Sequence, residues 1–274
     1  MRSDLPPNLD IESISLAKSW LDAFRPLPRD VLAELQHLFD VRLTYHSNAI
    51  EGNTLTQSET ELVIDKGITI GGKSLSDHLE AIGHRDALGY VRLLSEKDEP
   101  VTERVIREIH SLVLRGQDHD DAGRFRTMDV RAAGTEHIYP SHFRLNELMA
   151  EFVAWLHAPA KGHAVVFATE AHFRFVDIHP FRDGNGRAGR LILNLLLMRA
   201  GYPIAVLKVE DRTAYIDALV LAQEGGNLDS LQLLVNRAVH SSLRDYLAVL
   251  GTATEAHAEN KPFFAEMQTW LAAN

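Results

Sequence analysis

The chain has 274 residues and no cysteine. That absence excludes a disulfide scaffold, a thiolate nucleophile and any cysteine-ligated zinc or iron–sulfur site. Long apolar runs are lacking as well. The stretch Leu191 to Met198 is broken by Asn194 and falls short of the ~18 apolar residues that span a bilayer, so no membrane association is expected. A basic excess is also missing. Lys and Arg number 28 against 38 Asp and Glu, a formal net charge of −10. Nucleic acid is therefore excluded as a general partner, because its recognition needs a broad cationic face. The opening residues Met1 to Pro7 lack a basic start followed by an apolar core. No secretory signal is expected, and the expected setting is cytoplasmic. Repeats and low-complexity tracts are absent. The apolar and charged fractions of 45% and 24% are those of a globular chain.

What is present is helical periodicity. Leu145, Leu148, Met149, Phe152 and Leu156 recur at spacings of three and four, which predicts one buried helical stripe. Ile106, Ile109, Leu112 and Val113 do the same behind Thr102, a candidate N-cap. Leu231, Leu234, Val235 and Ala238 mark another helix. Gly201 and Pro203 predict the stop of a helix from about Arg187 to Ala200. Further helices are expected near 30–46, 76–95, 164–177 and 211–223. Segment 129–142, with Gly134 and Pro140, reads as a short hairpin or a structured loop. Segment 203–209 reads as a short strand or an extended connector. The expected fold class is mainly α. The amphipathic tail from Pro262 to Leu271 is expected to pack on the core. His110, His157 and His240 are expected on helix surfaces, and no H-E-x-x-H or comparable zinc cluster occurs.

The chemistry concentrates in His179-Pro180-Phe181-Arg182-Asp183-Gly184-Asn185-Gly186-Arg187-Ala188-Gly189-Arg190. Gly184 and Gly186 allow strained backbone and close approach to a ligand. A strong apolar helix follows, so free N–H groups leave its first turn. A glycine-rich loop opening a helix is an anion site. Arg187 and Arg190 stand three apart, on one helical face, where both can clamp phosphate oxygens. Asp183 offers an oxygen ligand beside that nest, as a phosphate-bound magnesium ion requires. His179 titrates in the range suited to accepting a proton near neutral pH. The stretch Gly184 to Gly189 also spells G-x-G-x-x-G, with Glu210 about twenty residues on. A dinucleotide fold is not expected, because no buried strand precedes the loop and the chain is otherwise helical.

Residues His179 to Arg190 resemble the signature of Fic-domain proteins, H-P-F-x-[D/E]-G-N-G-R-x-x-R, at every fixed position. The resemblance runs from about residue 30 to about 250. It implies a Fic fold, a compact helical bundle with a short β-hairpin flap. It also implies transfer of AMP from ATP to a Ser, Thr or Tyr hydroxyl of a target protein, the chain itself included. By resemblance His179 is the general base, and Asp183 holds Mg²⁺ (or Mn²⁺) between the α- and β-phosphates. Gly184, Asn185 and Gly186 form the anion nest, Arg187 reaches the phosphates, and Arg190 grips the γ-phosphate. Segment 123–142 resembles the flap, which registers an extended target segment by β-augmentation; Gly134, Thr135, Glu136 and His137 are its candidate residues. Tyr215 and Gln223 fall where family members contact the adenosine, Gln223 standing where some carry asparagine.

Ser47-Asn48-Ala49-Ile50-Glu51-Gly52 matches the family's inhibitory pattern [S/T]-x-x-x-E-[G/N]. The resemblance implies that Glu51 pairs with Arg190 and takes the γ-phosphate position, with Ser47 beside it. The chain then divides into residues 1–100, a helical region carrying the inhibitory motif at 47–52, a Fic core at 101–250, and a helical tail at 251–274. Relatives with this brake also imply a homodimer and, in some cases, removal of AMP. Two other function classes stay open: transfer of UMP, phosphate or phosphocholine at the same site, and a non-catalytic module that senses ATP. Asp118, Asp120, Gly123 and Asp129 mimic an EF-hand spacing. Ala122 and the missing bidentate glutamate argue against calcium.

Overall fold

Eleven α-helices account for most of the described residues. A computed structural model describes residues 10–97, 99–117, 120–131, 137–158, 162–253 and 261–273. In chain order the helices are α1 (Ile11–Ala23), α2 (Arg29–Ile50), α3 (Gln57–Lys66), α4 (Leu75–Ser95), α5 (Glu103–Val113), α6 (Leu145–His157), α7 (Ala164–Ile178), α8 (Asn185–Arg199), α9 (Arg212–Gly225), α10 (Asp229–Ala253) and α11 (Phe264–Ala273). The start signals behave as local chemistry demands. The Thr102 hydroxyl accepts the Val105 N–H (3.3 Å). Thr56 with Glu59, and Ser74 with Asp77, close capping boxes on α3 and α4.

Helix α8 is the axis of the fold. Nearly every residue from Asn185 to Leu197 is buried, because α2, α4, α5 and α7 all pack around it. A helix enclosed on every side carries apolar residues all round, which explains the run from Leu191 to Leu197. Asn194 interrupts that run for a reason. Its amide donates to the Ala205 carbonyl (3.1 Å) and its oxygen accepts the Ala205 N–H (2.7 Å). The pair of bonds satisfies the backbone of Ala205 in the connector 203–208, which is buried as far as Leu207 and forms no strand.

One apolar core runs from Ile14 in α1 to Met267 in α11. A smaller cluster of Val41, Leu55, Val63, Ile64 and Ala81 lies under α3. The expected packing of the tail is seen: Met267 is buried, and Trp270 meets Trp20 edge-on at 5.8 Å. The mainly helical class agrees with expectation, but no strand forms among the described residues. The expected hairpin flap is therefore absent from the described flanks of segment 123–142, while 132–136 lie outside the described residues. The cause is visible in those flanks. Their carbonyls are taken by a buried side chain, since the Arg126 guanidinium donates to the carbonyls of Met128, Pro140 and His179. No described helix is long and apolar enough to cross a membrane.

Candidate active site

Helix α7 stops because Pro180 follows His179. A residue before proline disfavours the right-handed helical region, and His179 turns left-handed (φ 50°, ψ 58°). It is the only non-glycine with positive φ among the described residues. Its imidazole lines a cavity of about 380 Å³ between α2, α8, α9 and the residues Val130, Arg131 and Tyr139. The ring Nδ1–H donates to the Val176 carbonyl (3.3 Å), which leaves the Nε2 lone pair available. Burial pushes the His179 pKa down to about 4; the Val176 carbonyl opposes this, as do Glu51 and Asp183, while Arg126 reinforces it. The ring is therefore neutral, the form that accepts a proton.

The loop behind His179 is seated by two residues. Phe181 is fully buried. The Asn185 amide donates to the Phe181 carbonyl (2.8 Å), and its oxygen accepts the Phe181 N–H (2.9 Å). The Asn185 side chain thus holds the loop, and only its backbone is left for the nest. His110 carries the loop from below. Its ring stacks on Phe181 at 3.6 Å and 6°. Its Nε2–H donates to the Asp183 carbonyl (2.8 Å), and its Nδ1 accepts the Gly123 N–H (3.0 Å). His110 is buried, contrary to its expected surface position. The signal was in the spacing, since residues 106, 109, 110 and 113 share one face. His240 is also buried, packed at 4.8 Å on Trp270, whereas His157 is exposed.

Gly184 (φ 76°) caps α8, and Gly184, Asn185 and Gly186 line the cavity at the helix N-terminus. The cradle is tight at Gly186, where a Cβ would overlap the Glu51 carboxylate. Arg190 is the largest fully buried side chain. It donates from Nη2 to Glu51 Oε1 (2.8 Å) and to the Ser47 carbonyl (2.8 Å), and from Nε to the Ser47 hydroxyl (3.0 Å). Its Nη1 lies 3.5 Å from the Tyr215 hydroxyl. The structure thus brings Ser47, Glu51, His179, Gly186, Arg190 and Tyr215 to one place.

Arg187 is placed differently from expectation, whereas Tyr215 and Gln223 line the cavity. Arg187 is buried and does not line the cavity. It reaches Asp183 (3.2 Å) and approaches Glu80 (3.8 Å), and its Nε and Nη1 have no hydrogen-bond partner. Tyr215 lines the cavity, but its hydroxyl is engaged by His172 (2.8 Å) as well as Arg190. Gln223 lines the same cavity, near the Tyr139 hydroxyl and the Asp177 carboxylate. Of the four flap candidates, His137 pairs with Asp177 (3.2 Å), and Gly134, Thr135 and Glu136 lie outside the described residues. Sequence reasoning missed Arg212, which lines the cavity and donates to the Ile50 carbonyl (2.7 Å) at the end of α2.

Asp183 fits a magnesium ion held mainly by substrate phosphates. Its carboxylate lines the cavity, is 72% exposed, and stands beside the nest. One or two carboxylates with phosphates and water are what Mg²⁺ takes.

The Fic/DOC family pattern matches residues 100–197. The fold also matches solved structures. One is C. elegans Fic-1 (residues 134–508), with TM-score 0.80 and 31% identity over 90% of this chain and 73% of that one. Another is a Fic-domain-containing signaling protein from Bacteroides thetaiotaomicron, with TM-score 0.78 and 30% identity over 88% of this chain and 97% of that one. The chain belongs to the Fic/DOC family. Longer relatives bear the name protein adenylyltransferase Fic. That of Nematostella vectensis is 38% identical over 231 residues, covering 80% of this Fic chain and 53% of the relative. That of Culex quinquefasciatus is 39% identical over 196 residues, covering 70% of this Fic chain and 38% of the relative. The chain thus spans about half or less of the length of these curated relatives.

Proposed function

We propose that this chain transfers AMP from ATP to a hydroxyl of a target protein, and that Glu51 restrains the transfer. One observation carries the reading. A neutral histidine and an anion nest ending in a buried arginine line a single cavity, with a carboxylate from α2 seated on that arginine. The names of the relatives support the nucleotide. A carboxylate on Arg190 supports the brake, because it occupies guanidinium donors that a phosphate group would otherwise use.

In the reaction His179 Nε2 takes the proton from the target hydroxyl. The oxygen attacks the α-phosphorus, a new P–O ester bond forms, and the bond from the α-phosphorus to the bridging oxygen breaks. Pyrophosphate leaves with the electron pair, and the proton passes from His179 to solvent. The nest and Arg190 bind the phosphates and hold them in line, so positioning and charge neutralisation supply most of the rate. Asp183 would hold the Mg²⁺, which neutralises phosphate charge. Segment 123–142 would dock the target as an extended strand; Val130 and Arg131 at the cavity support that placement.

Removal of AMP is a second reading, favoured by the position of Glu51. Its carboxylate lines the same cavity as His179 and is 39% exposed, so it can orient a water molecule.

The test is incorporation of labelled AMP from Mg²⁺-ATP. Glu51→Gly should incorporate more than the parent, and His179→Ala none. Incorporation in His179→Ala equal to the parent would falsify the transfer. Equal incorporation by parent and Glu51→Gly would remove the brake. Release of AMP from a premodified target by the parent, lost in Glu51→Gly, decides the second reading.

A further inference from the structure

Tyr139 lies against His179 with ring centroids 4.0 Å apart and planes inclined by 31°. It is 7% exposed. Its backbone is fixed from one side, because the carbonyl of the next residue, Pro140, accepts a hydrogen bond from the buried Arg126 guanidinium. Its hydroxyl faces Gln223 of α9, which lines the same cavity. The ring is thus placed between His179 at the end of α7 and Gln223 of α9, next to the residue that Arg126 holds.

His179 needs such a neighbour. Its own ring has one hydrogen bond, the long Nδ1–H contact to Val176. A single bond of 3.3 Å leaves rotation about the ring axis poorly defined, and in-line proton abstraction requires a defined one. When Nε2 takes a proton the ring becomes a cation. The charged groups acting on it are then Arg126, which disfavours the cation, and Glu51 and Asp183, which favour it. Glu51 is the group that must leave Arg190 for activity. An aromatic face within about 6 Å attracts a cation and does not leave.

We propose that Tyr139 is a positioning residue for His179: its ring fixes the imidazole plane and stabilises the imidazolium formed during transfer. The proposal rests on His179 acting as the proton acceptor. It assigns a role to a residue that sequence reasoning treated only as part of the flap segment.

The experiment uses the full chain carrying Glu51→Gly, so that turnover is measurable. AMP transfer is followed against ATP concentration and pH for Tyr139→Leu, Tyr139→Phe and His179→Ala. Loss of an aromatic–cation contact predicts that Tyr139→Leu lowers kcat by about 3- to 30-fold. KM for ATP should hold, and the acid limb of the profile should move to lower pH, since the cation has lost a partner. Tyr139→Phe keeps the ring and should restore most of kcat despite losing Gln223. An unchanged kcat in Tyr139→Leu, or a loss carried entirely by KM with the acid limb unmoved, overturns the proposal. Should Tyr139→Leu not fold, the parent decides by NMR. The stacking requires upfield ring-current shifts of the His179 ring protons, and ordinary shifts overturn it. Activity in His179→Ala would instead sink the transfer reading itself, so the two failures are distinguishable.

Discussion

The Arg190 guanidinium donates to the backbone carbonyl of Ser47 at 2.8 Å, the same distance at which it meets the Glu51 carboxylate. Adding the Ser47 hydroxyl and Tyr215, the buried arginine keeps three acceptors when Glu51 is gone. A buried cation left unpaired is strongly destabilising, so these acceptors decide whether Glu51 can be removed without harming the fold.

Glu51→Gly should therefore stay folded. Its melting temperature should remain close to the parent value, and the variant should gain about 10²–10³-fold in AMP transfer, equivalent to a few kcal/mol of lost competition at Arg190. Calorimetry and labelled-AMP incorporation check the two halves. A large fall in stability would mean that Ser47 does not hold the arginine.

Asp183→Asn removes the exposed carboxylate beside the nest while keeping its shape. The Mg²⁺ concentration for half-maximal transfer should rise by about tenfold or more, a loss typical even of partners outside the metal's own ligand shell. A metal titration of initial rates in the Glu51→Gly background reads this out. An unchanged midpoint would assign the metal to other groups.

His110→Ala removes the stack on Phe181 and the hydrogen bonds to the Asp183 carbonyl and the Gly123 N–H. Buried large-to-small changes of this kind cost about 2–5 kcal/mol. Urea unfolding should show it, and transfer should slow because the Asp183 backbone loses its support. Parent-like stability would mean that the loop is seated by Asn185 alone.

Four histidines whose pKa burial depresses most make the fold sensitive to acid. Burial lowers the pKa of His84 to about 3 and of His110, His172 and His179 to about 4. Below about pH 6.5 the unfolded chain binds protons that the folded chain refuses. Their contribution to stability is thus full above about 6.5 and is lost as pH falls toward 4. Unfolding free energy measured from about pH 7 to 4.5 should fall with a slope that His110→Asn reduces. Transfer rates from about pH 6 to 8 should stay flat with respect to His179, whose base form is already populated there.

Much of this arrangement is legible in the residues themselves. The spacing of Ile106, Ile109 and Val113 locates α5, and Gly201 with Pro203 locates the end of α8, because those signals are local. The pairing of Glu51 with Arg190 follows from the motif resemblance and is what the structure brings together. Other features depend on partners far along the chain. Arg187 turns toward Asp183 and Glu80 because α4 packs beside α8. Nothing in the spacing of Arg187 and Arg190 tells which arginine faces the cavity. Tyr139 meets His179 next to Pro140, whose carbonyl is held by Arg126 from far along the chain. Among the described residues of segment 123–142 no strand forms, and there the buried Arg126 guanidinium takes the carbonyls of Met128 and Pro140.

Glu51 caps the end of α2; it does not sit in the middle of a turn. Its backbone is held there by bonds to Asn48 and Ala49, and Arg212 holds the Ile50 carbonyl. The carboxylate beyond that anchored backbone can swing away by rotating its own side-chain bonds, a motion of a half-exposed residue on the picosecond-to-nanosecond scale. No helix has to move and no domain has to open. Whatever displaces the carboxylate acts against an equilibrium that re-forms many times within one turnover, so reactions begun by adding ATP should start without a lag.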